Sequence, residues 1–119
     1  MKKALVVDDS LVVRNYHVSL LKVLSFDVDT AENGAEAYEK CLQNSYDLIF
    51  CDINMPVMDG YTFTKKIRKH ERYKNVPIIL VTTLNSEEDR KRALLCGATL
   101  FIVKPMNMAI LKKMLEAVS

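Results

Sequence analysis

No stretch of this sequence stays apolar long enough to cross a bilayer. The opening Met1-Lys2-Lys3 carries a basic pair, but only Ala4-Leu5-Val6-Val7 follows before Asp8. That run is too short for a secretory signal. Cysteine is scarce. Cys41, Cys51 and Cys96 are odd in number, far apart, and match no zinc or redox spacing. They read as buried, reduced thiols of a cytosolic protein. An excess of one charge sign is missing too. The formal net charge of +2 is too small to imply a nucleic-acid partner. Linkers, repeats and low-complexity segments are absent, so the 119 residues read as one domain.

What is present alternates. Ala4-Leu5-Val6-Val7 reads as a buried strand ending in Asp8-Asp9. Ser10 can cap a helix whose apolar positions Val13, Tyr16, His17 (marginally), Leu20, Leu21 and Leu24 recur at helical spacing. Phe26 to Thr30 alternates apolar and polar, which suits a half-exposed strand at a sheet edge. Asn33-Gly34 starts a second helix through about Gln43, with Ala37, Cys41 and Leu42 inward. Asp47-Leu48-Ile49-Phe50-Cys51 is a third strand with Asp52 at its mouth. Met55-Pro56 stops it, and Met58-Asp59-Gly60 turns the chain into a helix from about Tyr61 to His70. Ile78-Ile79-Leu80-Val81 is a fourth strand ending in Thr82-Thr83. Ser86-Glu87-Glu88-Asp89 opens a helix with a capping hydroxyl and acids in its first turn, and Gly97 ends it. Leu100-Phe101-Ile102-Val103 is a fifth strand ending in Lys104-Pro105, and Asn107 can cap a last helix to Val118.

Five strands alternating with five helices, most strands apolar throughout, predict an α/β fold. A parallel sheet would carry helices on both faces. Right-handed crossovers then bring every strand's C-terminal end to one rim, where such sheets bind ligands. That rim would collect Asp8, Asp9, Asp52, Thr82 and Lys104. Three carboxylates so placed repel one another unless a cation joins them. Mg2+ suits one or two carboxylates, waters and a phosphate. Lys104 supplies a point charge for that phosphate, Thr82 a hydroxyl donor, and Asp52 a nucleophile that can form an aspartyl phosphate. Each residue alone reads as readily as a cap or a turn; the set at four strand ends is specific.

Asp8-Asp9, Asp52 with Asn54-Met55-Pro56 and Met58-Asp59-Gly60, Thr82, and Lys104-Pro105 together resemble the response-regulator receiver domain of two-component signalling. The resemblance covers the whole chain. It implies a flavodoxin-like sheet in the order 2-1-3-4-5. It implies that Asp52 accepts a phosphoryl group from a phosphohistidine on a sensor histidine kinase or a histidine phosphotransfer protein. It further implies that Asp9, Asp52 and the backbone carbonyl of Asn54 ligate Mg2+, with Asp8 holding a water of the metal. Lys104 would pair with the phosphate, Thr82 would be the switch hydroxyl, and Phe101 would occupy the place of a rotating aromatic. That place is often Tyr, so a phenolic hydrogen bond is lost here. A cis Lys104-Pro105 bond is implied as well. Output would pass through the fourth helix, fifth strand and fifth helix to a downstream protein.

The chain begins at the first strand and ends with the fifth helix, so a single receiver domain over 1–119 without an effector domain is expected, with a piece of a longer regulator as the other reading. A chemotaxis-type switch is the leading subtype and a phosphorelay intermediate the alternative. No turnover of a separate substrate is expected. A Mg2+-dependent aspartyl phosphohydrolase fits less well, because the first strand ends in adjacent acids and no cap domain encloses a substrate. A degenerate receiver that binds partners without phosphorylation is disfavoured by the complete set of site residues. The basic run Lys65 to Lys74 reads as a solvated helix face and its loop. Arg90-Lys91-Arg92 reads as surface, and neither His17 nor His70 is assigned a role. Leu84 should border the site and affect water access.

Overall fold

Each apolar run becomes a strand because both of its faces are covered. In the computed structural model, residues 2–83 and 86–118 are described. The strands are β1 (Lys3–Val7), β2 (Asp27–Ala31), β3 (Leu48–Asp52), β4 (Ile78–Thr82) and β5 (Leu100–Val103). The helices are α1 (Leu11–Val23), α2 (Gly34–Gln43), α3 (Gly60–Ile67), α4 (Glu87–Leu95) and α5 (Met108–Val118). The strands pair in parallel in the order β2-β1-β3-β4-β5, as the family resemblance implies.

Successive side chains on a strand point to opposite faces. Leu5, Val7, Ile49, Cys51, Ile78 and Leu80 pack with Ala37, Phe63, Ile67 and Ala93, under α2, α3 and α4. Ala4, Val6, Leu48, Phe50, Ile79 and Val81 pack with Leu21, Leu111 and Met114, under α1 and α5. The edge strand β2 is mostly half-buried, as its alternation predicts. The other edge strand, β5, is half-buried at every position.

Helix starts follow the capping residues. Ser10, Asn33, Asp59, Ser86 and Asn107 each accept a backbone N–H from the first turn of the following helix. Ser86 and Asp89 form a reciprocal capping box. At its far end α4 gives way to Gly97 at φ 102°, a left-handed conformation that glycine supplies without a side-chain clash.

Four expectations change. Helix α3 ends at Ile67 rather than His70, and a 3-10 turn follows over Glu71–Tyr73. The cause is Arg68. Its Nε donates to the Gly97 carbonyl (2.8 Å), its Nη1 to the carbonyls of Tyr73 and Val76 (2.6 Å each), and its Nη2 to Thr99 Oγ1 (3.0 Å). Arg72 likewise donates to the Asn44 carbonyl (3.0 Å), so the basic run is not solvated throughout. Leu42, expected inward, is exposed, because Ala37 and Cys41 already define the buried stripe of α2. Cys41 and Cys51 are buried, but Cys96 is only half-buried; all three are free thiols.

Candidate functional site

β1 carries Asp8 and Asp9 to the rim. Asp8 is 1 % exposed, whereas Asp9 faces solvent. Asp8 Oδ1 accepts the Ser10 N–H (2.9 Å), and buried Arg14 donates Nη1 to the Asp8 carbonyl (2.8 Å). The Asp8 backbone is therefore held from α1 while its other carboxylate oxygen faces the site.

Asp52 is the last residue of β3 and is 9 % exposed. The loop after it is pressed onto the strand end. Gly60 N–H donates to the Ile53 carbonyl (2.8 Å), and a Cβ on Gly60 would lie 2.3 Å from the Asp52 carbonyl oxygen. Only glycine fits that approach. In the same loop Val57 takes φ 70°, rare for a β-branched residue, at the centre of a tight turn in which Met58 N–H donates to the Pro56 carbonyl (2.8 Å).

Lys104 follows β5. Its backbone N–H donates to the Thr82 carbonyl (2.7 Å), tying the ends of β4 and β5. Its ammonium lies 3.1 Å from Asp8 Oδ2 and 3.4 Å from Asp52 Oδ1. Lys104-Pro105 is cis. Tyr16, exposed on α1, donates its hydroxyl to the Met106 carbonyl (2.8 Å) and fastens this loop from the other side.

Burial pushes the Asp52 carboxyl up to about 6; the Asp8 carboxylate adds to the rise and Lys104 opposes it. One carboxylate oxygen each from Asp8, Asp9 and Asp52 can lie within 4.8 Å of the others. Three hard oxygen donors at a partly open rim fit a divalent cation such as Mg2+. The sequence-predicted acids and Lys104 are thus brought together. Thr82, buried, ends β4 on the same rim. Thr82 shares a sheet face with Leu80, which pairs in register with Phe101. Phe101 is half-buried, with the Arg90 guanidinium 5.2 Å from its ring centroid. Asn54 is exposed just past the strand end. Leu84 lies outside the described residues.

Sequence reasoning missed Arg14. Its signal was its spacing: Arg14, His17 and Leu21 form the buried stripe of α1. It also treated Ser10 only as a helix cap and overlooked the close approach at Gly60. Elsewhere, a cavity of about 450 Å³ opens at the opposite end of the sheet, lined by Leu24, Phe26, Leu48, Pro77 and Leu115 among others. None of the rim residues reaches it. Among the described residues no helix is long and apolar enough to cross a membrane.

The family model described as response regulator receiver domain matches residues 4–116. Chemotaxis protein CheY1 of Helicobacter pylori is 41% identical over 118 residues, covering 98% of this chain and 95% of that protein. A gliding motility regulatory protein of Myxococcus xanthus is 37% identical over 102 residues; the match takes in 86% of this chain but only 13% of that longer protein. The structure of Vibrio cholerae chemotaxis protein CheY4 superposes with a TM-score of 0.94 at 39% identity, covering 100% of this chain and 99% of that one. Response regulator TrrA of Thermotoga maritima, solved in complex with Mg2+ and BeF, gives a TM-score of 0.88 at 34% identity over the full length of both chains. The parallel order of the sheet, the acids and lysine at its rim and these matches agree: the chain belongs to the response regulator receiver domain family.

Proposed function

We propose that this chain is a chemotaxis-type response regulator, a cytoplasmic phosphorylation switch whose acceptor is Asp52. The donor is a phosphohistidine on a sensor histidine kinase or a histidine phosphotransfer protein. The single observation that carries the reading is the Lys104 ammonium shared between Asp8 and Asp52. A buried acid pair held by one cation, on a rim open to solvent, is poised for an incoming anion.

In this mechanism an Asp52 carboxylate oxygen attacks phosphorus. The new P–O bond forms as the P–N bond breaks, and the electron pair stays on the departing imidazole nitrogen. Lys104 can follow the charge onto the phosphoryl oxygens, because it already touches the acceptor. Asp9, Asp52 and the Asn54 carbonyl would hold Mg2+, with Asp8 in its outer shell. Bound there, Mg2+ supplies charge neutralisation for the acids and the phosphoryl oxygens. The Thermotoga maritima complex with Mg2+ and BeF supports this cofactor. Thr82 then moves toward the phosphoryl group and Phe101 turns inward, changing the α4, β5 and α5 face that a downstream protein binds. The chemotaxis proteins of Helicobacter pylori and Vibrio cholerae support the subtype. The chain acts in signalling and turns over no separate substrate.

The test is intact mass after incubation with acetyl phosphate, with and without Mg2+, on wild type and Asp52→Asn. One added phosphoryl group that requires both Mg2+ and Asp52 is expected. An adduct on Asp52→Asn, or none at the shortest times sampled, overturns the assignment.

A further inference from the structure

Away from the rim, α3 and α4 leave a groove of about 310 Å³ lined by Tyr61, Thr62, Lys65, Arg92, Leu95 and Cys96. Its lining carries two cations and no acid, and the Asp89 carboxylate nearby interacts with Arg92 only electrostatically. Arg92 stacks on Tyr61, its guanidinium 4.3 Å from the ring centroid. Tyr61 is itself 7 % exposed and donates its hydroxyl to the Asp89 carbonyl (3.2 Å). Among the described residues neither Arg92 nor Lys65 has a carboxylate within ion-pair distance. The Asp89 carboxylate, one turn before Arg92, is engaged by the Ser86 cap.

Beside these cations stands Leu95, 87 % exposed. It ends a helix that begins with six successive charged residues, Glu87 to Arg92. The groove is separate from the face of α4 turned toward β5. Arg90 covers Phe101 of β5, and Leu94, one turn after Arg90, follows it on that side. Arg92 and Leu95 turn toward α3 instead.

We propose that the α3–α4 groove binds an acidic segment of a partner protein, setting a carboxylate on Arg92 and an apolar side chain on Leu95. Charge complementarity selects the occupant. A stacked guanidinium presents its donors in a fixed fork that matches a carboxylate, and holding it in advance lowers the entropy cost of binding. The adjoining exposed leucine favours a peptide side chain over a nucleic-acid backbone. The site does not depend on Asp52 and stands apart from the phosphorylation reading.

The probe is a synthetic helical peptide of about three turns carrying Glu and Leu one turn apart, with a twin in which Gln replaces every Glu. Amide shifts of the 15N-labelled full chain are followed during titration. Saturable shifts are expected along α3 and α4 around the groove. Arg92→Gln should weaken binding about tenfold, and the Gln twin should weaken similarly. Lys65→Gln, which leaves the Tyr61 stack in place, should weaken binding in the same direction, as should Leu95→Ser. Arg90→Gln and Asp52→Asn should leave the affinity unchanged. The proposal fails if no saturable shift occurs or if the shifts fall on β5 and α5. It also fails if Arg92→Gln and Lys65→Gln both bind like wild type. Tighter binding of duplex DNA than of the peptide, or a dimer of the free chain that Arg92→Gln dissociates, would overturn it in favour of those occupants.

Discussion

Lys104 Nζ stands 3.1 Å from Asp8 Oδ2 and 3.4 Å from Asp52 Oδ1, so one ammonium serves two buried carboxylates. The site is short of positive charge, and burial raises the Asp52 carboxyl from its ordinary 3.8 to about 6. A carboxyl whose pKa rises on folding holds its proton more tightly in the native state. Ionising it therefore costs stability as pH increases from about 4 to about 6. In metal-free buffer, wild type should lose stability across that window. Asp52→Asn should be the more stable protein at pH 7, by about 1–2 kcal/mol after allowance for partial exposure. Urea unfolding of both proteins at several pH values checks this. Identical curves would show that ionising Asp52 costs the folded chain nothing.

Divalent metal should act in the opposite direction. If Mg2+ occupies the acids as proposed, it binds the folded chain and raises its stability with concentration. Thermal unfolding should move upward on adding Mg2+ and return on chelation. Asp9→Asn and Asp52→Asn should each abolish most of the shift, whereas Glu39→Gln, at an exposed position of α2, should not. An equal response in all four proteins would place the metal elsewhere.

His17 supplies a second pH dependence of opposite sign. It is 3 % exposed, with its ring edge-on to Phe50 at 6.2 Å. Burial lowers its pKa below the ordinary 6.5, against the pull of the nearby Asp8 carboxylate. The unfolded chain takes up the proton first, so the stability gained from a neutral His17 is lost as pH falls below about 6.5. In an Asp52→Asn background, where the opposing titration is removed, stability should decline from pH 7 toward pH 5. His17→Leu in that background should flatten the decline. A slope unchanged by the substitution would assign it to other groups.

The strand ends were legible because each apolar run stops at a polar residue, and a parallel sheet carries all those ends to one side. Asp8, Asp52, Thr82 and Lys104 reach the rim through that rule alone. The arginines were not legible. Arg68 sits in a run of lysines and reads like them, yet its fork meets carbonyls from two separate stretches of chain, Tyr73 and Val76 in one and Gly97 in the other. Periodicity sees the face a residue occupies but not the carbonyls that tertiary folding brings to it. The same limit hid Tyr73, whose buried hydroxyl donates to the Cys41 carbonyl (2.8 Å). Leu42 failed in the other direction, because an apolar residue beside a buried stripe can still face water.

Arg68 therefore carries a prediction of its own. Removing it leaves the carbonyls of Gly97, Tyr73 and Val76 without this donor. Arg68→Ala should cost about 2–4 kcal/mol, the sum expected for several charge-assisted hydrogen bonds less partial hydration. Arg68→Lys should recover little of it, since an ammonium is a point donor and cannot span the fork. Denaturant unfolding of the three proteins decides the matter. A lysine variant as stable as wild type would mean that only the charge counts.

Phe101 sits half-buried with Arg90 5.2 Å from its ring centroid, and that contact bears on the proposed switch. A cation over a phenyl face at a partly exposed site contributes roughly 0.5–1 kcal/mol. Phe101 also packs against the core below; if phosphorylation turns the ring further inward, it gives up the Arg90 contact, so that contact favours the position seen here. Arg90→Ala should then shift the balance toward the inward ring by about two- to fivefold. Fluorine resonances of 4-fluorophenylalanine incorporated at position 101 report the two environments. The variant should show a larger inward population before phosphorylation and the same limiting spectrum after it. A resonance that phosphorylation leaves in place would remove Phe101 from the switch, and the α4, β5 and α5 face would have to respond through Thr82 alone.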